Sequence, residues 1–176
     1  MASSFLDAIG TDHILSSGQL ERHFNLTEAE AQDLGVRVFA VAAKKTKGSR
    51  QQAKYHFVIR KGKHPPTDGA TLRHITGAAE MRYHLGVPHD VWVSDAGRRW
   101  AKNKPDATWT TPEGLVAIEY DSGAYDPETI IKKLTSFESG YANQIWGTPS
   151  KHRVGHIKHM ARNIVPSLQI FCAPWY

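Results

Sequence analysis

The 176-residue chain has a single cysteine, Cys172. No internal disulfide can form, which agrees with a reducing compartment. No apolar run approaches the roughly 20 residues that a membrane-spanning helix needs. The opening MASSFLDAIG lacks the basic-then-apolar layout of a secretory signal. These absences lead to the expectation of a cytoplasmic protein with no membrane partner. There is no internal repeat and no low-complexity tract, so solenoid and linker-like architectures are excluded. Acid is the scarcer charge: 17 Asp and Glu stand against 22 Lys and Arg, for a net +5 with ten histidines besides. That balance points to a polyanionic partner, most often nucleic acid. A hydrophobic content of 40% and a charged content of 22% suit one medium domain or two small ones.

Residues 3–62 read as one unit. SSFLDAIG forms a short helix. SSGQLERHF follows, with Ser16 or Ser17 as N-cap and Glu21 near the capping-box position. In NLTEAEAQDLGVRVFAVA, Thr27 caps a third helix. Glu28 and Glu30 suit the positive end of its dipole, and Ala31, Leu34, Val38 and Val41 recur at helical spacing. KKTKGSRQQ and the alternating KYHFVIRKG then read as a β-hairpin with a basic tip. Three helices and a basic hairpin are the layout of a winged helix-turn-helix. The wing carries Lys44, Lys45, Lys47 and Arg50 within seven residues, followed by Lys54. Such cations suit phosphate contacts, which give affinity without sequence information. The helix beginning at Glu28 carries acids that repel phosphate, and Arg37 is its only cation before Lys44. The wing is therefore expected to matter more than that helix in holding double-stranded DNA.

GKHPPTDG, with two prolines and two glycines, is the linker candidate. It divides a winged helix over residues 1–64 from a second domain over 65–176. The second domain reads helix (ATLRHITGAAEMRYHLG), strand (HDVWVSD), the hairpin PDATWTT-PEG-LVAIEYD, helix (DPETIIKKLTSFESG, capped by Asp126 with Pro127 behind it), strand (NQIWGT), helix (SKHRVGHIKHMARNI) and strand (PSLQIFC). The strand–helix–strand alternation of its second half implies parallel neighbours and right-handed crossovers.

Two acids mark the hairpin. In a strand, residues i and i+2 share a face, so Leu115, Ala117, Glu119 and Asp121 point one way while Val116, Ile118 and Tyr120 point the other. Two carboxylates at the end of a core strand are costly unless paired, protonated or bound to a cation. A hairpin closing at PEG brings Asp106 within reach. Three converging carboxylates make a hard-oxygen site for magnesium or manganese. The alternative is a frayed strand edge whose acids meet water or pair with Lys133 or Arg153. Lys133 lies at the edge of the apolar stripe Ile130, Ile131, Leu134 and Phe137 and can lean over the sheet, whereas Lys132 points away. His152, His156 and His159 share a helix side with Lys151, Lys158 and Arg162 and read as a basic surface. His74 reads as a core histidine or a member of the site's rim, the core reading being favoured. Trp109 and Trp146 read as packing residues. The terminal APWY either docks on the body or mediates self-association.

PDATW…GLVAIEYDSG…KK in this order of elements resembles the PD-(D/E)XK nuclease superfamily. More narrowly, the chain resembles the plasmid-borne replication-relaxation family, on a histidine-containing helix, the PDA strand, the E-x-D strand, a KL…Y/F helix and the strand–arginine segment IWGTPSKHR. The resemblance implies an α/β fold in which a winged helix-turn-helix precedes a nuclease-like αβββαβ core. It carries Asp106 and Glu119 over as the metal-holding acids, with Glu80 as an extra acid and Asp121 in the position of the motif lysine. Lys133, on the following helix, replaces that lysine. The function expected is DNA binding with metal-dependent endonuclease activity at Asp106, Glu119, Asp121 and Lys133, with Mg2+ or Mn2+ as cofactor. Its alternatives are a non-catalytic DNA-binding factor in plasmid replication or mobilisation, and a domain that binds a relaxase or replication initiator.

Overall fold

The computed structural model describes residues 2–46, 48–95 and 104–176. Among them the chain forms six α-helices and two sheets. The first half runs α1 (Ala2–Asp12), β1 (Ile14–Ser16), α2 (Ser17–Phe24), α3 (Glu28–Asp33), β2 (Val36–Ala43) and β3 (Ala53–Arg60). Its sheet has the order β1-β3-β2, all antiparallel. The second half runs α4 (Gly69–Leu85), a single 3-10 turn at His89–Val91, β4 (Trp92–Ser94), β5 (Ala107–Thr111), β6 (Gly114–Tyr120), α5 (Pro127–Gly140), β7 (Asn143–Thr148), α6 (Lys151–Ala161) and β8 (Gln169–Cys172). These strands form one sheet in sequence order, antiparallel through β6 and parallel from β6 to β8. No helix among the described residues is long and apolar enough to cross a membrane.

Local chemistry accounts for the helix starts. Ser16 caps α2, and its capping-box partner is Gln19 rather than Glu21. Thr27 caps α3 with Glu30 reaching back to the cap. Asp126 caps α5 ahead of Pro127. The helical spacing read through Val41 is overturned. Helix α3 stops at Asp33, Gly35 adopts φ +93°, and the β-branched run beginning at Val36 becomes strand β2. Strand β1 was not expected. It enters from His13 at φ 67° and pairs with β3.

The two halves share one core. Ile14, Phe57 and Ile59 from the first sheet join Leu72, Ile75, Met81, Ile118, Tyr120 and Trp175 in a single buried cluster. A second cluster lies on the other face of the five-stranded sheet, where Ala117 and Trp146 meet Ile130, Leu134, Phe137 and Ile157 of α5 and α6. Ile131, placed by spacing on the apolar stripe, is exposed. Trp146 is fully buried and Trp109 packs at the edge of the first cluster. The terminal tetrapeptide docks on the body. Trp175 is buried, its carbonyl accepts from Ser16 Oγ, and Arg22 donates to the Tyr176 carbonyl at 2.9 Å.

Helix α4 lies unusually close to β6. A Cβ on Gly77 would sit 2.1 Å from the Tyr120 ring, so only glycine permits this approach. The approach carries His74, one turn earlier, to the open end of the β5–β6 hairpin.

Candidate active site

The alternation of β6 sorts its side chains as the pattern requires. Val116, Ile118 and Tyr120 face α4, while Ala117 and Glu119 face α5. The β5–β6 register ends at Ala107 opposite Ile118, and Asp106 lies just beyond it, near enough to Glu119 for the two charges to interact. The structure therefore brings these two acids together at the end of the hairpin. Glu119 is fully buried. Its Oε1 accepts from the Tyr125 hydroxyl at 2.6 Å and lies 2.8 Å from Lys133 Nζ. Its Oε2 is buried with no hydrogen-bond partner. Burial and the nearby Asp106 charge push the Glu119 carboxyl up to about 7, against the lowering effect of Lys133 and Tyr125. Burial and the same two acids push the Tyr125 hydroxyl far above its ordinary range.

Asp106 is held from the α4 side. Its Oδ2 accepts from the Tyr120 backbone N–H at 2.8 Å and lies 3.3 Å from His74 Nδ1. Burial works against the imidazolium, but the charges of Asp106 and Glu119 and the Asp106 hydrogen bond outweigh it, so the His74 pKa is raised. About a quarter of the His74 side chain and a fifth of that of Asp106 remain exposed, so the centre meets solvent from this side. His74 is therefore part of the rim rather than a core histidine. Lys133 also donates to the Lys104 carbonyl at 3.2 Å, and Lys132 is exposed.

Three residues fall elsewhere. Asp121 is fully buried, and both of its oxygens are engaged. Oδ1 accepts from the backbone N–H groups of Gly123, Ala124 and Tyr125, and Oδ2 lies 2.6 Å from Arg153 Nε. Its task is to fold the 121–125 loop that presents Tyr125, and Arg153 serves Asp121 rather than the Asp106–Glu119 pair. Glu80 is bound by Gln19, Arg22 and His23, so it joins α4 to α2 instead of supplying an extra acid. No group of three or more His, Cys, Asp or Glu side chains among the described residues is arranged to hold an ion. The three-carboxylate cluster expected from spacing thus reduces to two acids and a lysine. His74 takes the rim position that the sequence offered as the less favoured reading, and the one missed member, Tyr125, sits in a loop, where strand periodicity carries no information.

The basic hairpin divides into two ends. Lys44, Lys45, Arg50 and Lys54 are exposed near its tip, and Lys47 lies outside the described residues. Lys45 Nζ sits 4.3 Å from the centre of the Tyr176 ring. Arg37 belongs to the opposite end. It pairs in register with Ile59 and donates to the Lys63 carbonyl at 3.1 Å. His152 and His159 are exposed on α6, as a basic surface requires.

No family model, curated protein or solved structure matches this chain. The functional reading rests on the geometry of the site.

Proposed function

We propose that the chain is a DNA-binding protein whose second half hydrolyses phosphodiester bonds with a divalent metal, at a PD-(D/E)XK-type centre of Asp106, Glu119 and Lys133. The observation that carries this reading is the meeting of Asp106 and Glu119 across the hairpin, with Lys133 Nζ 2.8 Å from Glu119. Two carboxylates supply the hard oxygen donors that Mg2+ or Mn2+ prefers, and the unpartnered Glu119 Oε2 is an acceptor in want of a cation. The residues present therefore fit the ion, with Asp106 and Glu119 as its holders. When bound, such an ion polarises a phosphate and lowers the pKa of water. The chain's own groups do the rest. Lys133 neutralises charge developing on the phosphate oxygens. His74 fixes the orientation of Asp106, and Tyr125 fixes Glu119. The lysine is supplied by α5 because the strand position belongs to Asp121, which folds the loop. The first half, read as a winged helix-turn-helix, holds duplex DNA by its exposed tip cations, with Arg37 bracing the base of the hairpin.

A second reading is favoured by the absence of a three-ligand group among the described residues and by the full engagement of Asp121. In it the same fold holds DNA without cutting, as an accessory factor in plasmid replication or mobilisation beside a relaxase or replication initiator. Incubation of supercoiled plasmid with Mg2+ or Mn2+ separates the two. The first reading expects nicking that chelator and Glu119→Ala abolish. Metal-independent binding with no cutting by the intact protein supports the second.

A further inference from the structure

A cleft of about 690 Å³ opens between the two halves of the molecule, away from the hairpin tip. Among the described residues its lining includes His13, Arg60, Lys63, His64 and Lys104, against one acid, Asp95. Ile59, Ile75 and Tyr141 give it apolar walls. The backbone that bears Arg60 and Lys63 is held in place. Lys63 N–H donates to the Arg60 carbonyl at 3.2 Å, Gly62 turns the chain at φ +83°, and Arg37 bonds the Lys63 carbonyl. Gly10 leaves room for the Arg60 guanidinium, since a Cβ there would lie 3.3 Å from Nη2.

We propose that this cleft binds a single strand of DNA, its phosphates on Arg60, Lys63 and Lys104 and its sugars and bases against the apolar walls. A volume of this size is that of a ligand pocket and far too small for a duplex. Cations beside apolar and aromatic surface are the combination that single strands require. The cleft is a site separate from the hairpin tip. The β2–β3 register places Arg60 opposite Val36 and Ala53 opposite Ala43. Seven strand steps of about 3.4 Å put the two ends about 24 Å apart. One wall is the chain immediately before Asp106, where Lys104 lends its carbonyl to Lys133. That continuity makes the cleft the approach to the centre. This last point rests on the hydrolase reading; the strand affinity does not.

The test is fluorescence anisotropy of a labelled oligothymidylate with the full chain in chelator, so that cutting plays no part. Lys63→Ala with Lys104→Ala, both at exposed positions, is expected to weaken binding at least tenfold. It should also reduce the salt slope by about 1.4, at about 0.7 per strand phosphate lost. Arg60→Gln serves as an independent second variant, and thermal melting verifies that each variant is folded. Lys132→Ala, at an exposed position on α5 outside the cleft, should leave oligothymidylate binding unchanged. Strand affinity equal to that of the parent in both folded cleft variants, or an equal loss in Lys132→Ala, overturns the proposal. Strand binding that depends on the cleft, in a protein that cuts nothing when metal is restored, upholds the cleft and defeats the hydrolase reading alone.

Discussion

Lys133 of α5 places its Nζ 2.8 Å from Oε1 of Glu119, a carboxylate with no exposed surface on the central strand β6. The pair holds the two charges together where neither has full access to water. Removing one partner of a buried pair leaves the other uncompensated, at a cost of about 3–5 kcal/mol, less where the survivor can neutralise itself. Lys133→Met is expected to lower stability by about 1–3 kcal/mol at pH 8 and by less at pH 5, where Glu119 accepts a proton. Urea denaturation at the two pH values checks this, and adding Glu119→Gln should restore much of the loss.

The same carboxylate makes stability depend on pH. Glu119 is pushed from 4.5 up to about 7 by burial and by Asp106. The native state holds this proton more tightly than the unfolded chain, so the contribution is full below about pH 4.5 and is lost as pH rises through about 7. The raised His74 pKa acts in the same direction, its contribution being full below the ordinary 6.5 and lost above. Stability measured by denaturant midpoint should therefore fall between pH 5 and 8, and Glu119→Gln should flatten most of that slope.

Asp121 and Asp106 should part company on substitution. Asp121→Asn keeps an oxygen for the loop amides and loses the charge that faces Arg153. It should cost about 1–3 kcal/mol of stability and leave manganese affinity within a few-fold of the parent. Asp106→Asn should leave the fold intact and reduce manganese affinity at least tenfold. Calorimetric titration with Mn2+ and thermal melting of both variants supply the comparison.

Gly77 sets the distance between α4 and β6. Gly77→Ala puts a methyl group into the Tyr120 ring, and α4 must shift. A loss of about 1–3 kcal/mol is expected from overpacking. The shift also separates His74 from Asp106, so the His74 pKa, followed by NMR titration, should fall toward its ordinary value.

Duplex binding is expected to depend on the hairpin tip. Replacing Lys44 and Lys45 by alanine should lower the salt slope of duplex affinity by about 1.8, at about 0.9 per phosphate contact. An unchanged slope by gel shift or anisotropy would remove the tip from the interface.

Much of this arrangement was legible in the sequence, for reasons that also mark the limit. The period-2 pattern of LVAIEYD assigned the two faces of β6, and the wheel of α5 separated Lys133 from Lys132, because faces follow from spacing alone. The caps at Ser16, Thr27 and Asp126 were readable because their partners lie within three residues. Partners distant in sequence were readable only as alternatives. Spacing placed Asp121 beside Glu119 on one face and offered Lys133 or Arg153 as pairing partners, and the structure takes that alternative for Asp121, which Arg153 and the loop amides claim. Glu80 lies on the helix expected to bear an extra acid, yet Arg22, His23 and Gln19 surround it. Val38 and Val41 continued the helical period of Ala31 and Leu34, and the turn at Gly35 with three valines decided for a strand. The cleft cations are scattered from His13 to Lys104, and no local pattern joins them.

Anomalous scattering from crystals soaked in manganese tests the central claim most directly. The account predicts a peak between Asp106 and Glu119, with the Lys133 ammonium displaced from Glu119. Crystals that show no peak there, with the Lys133–Glu119 contact intact, would contradict it.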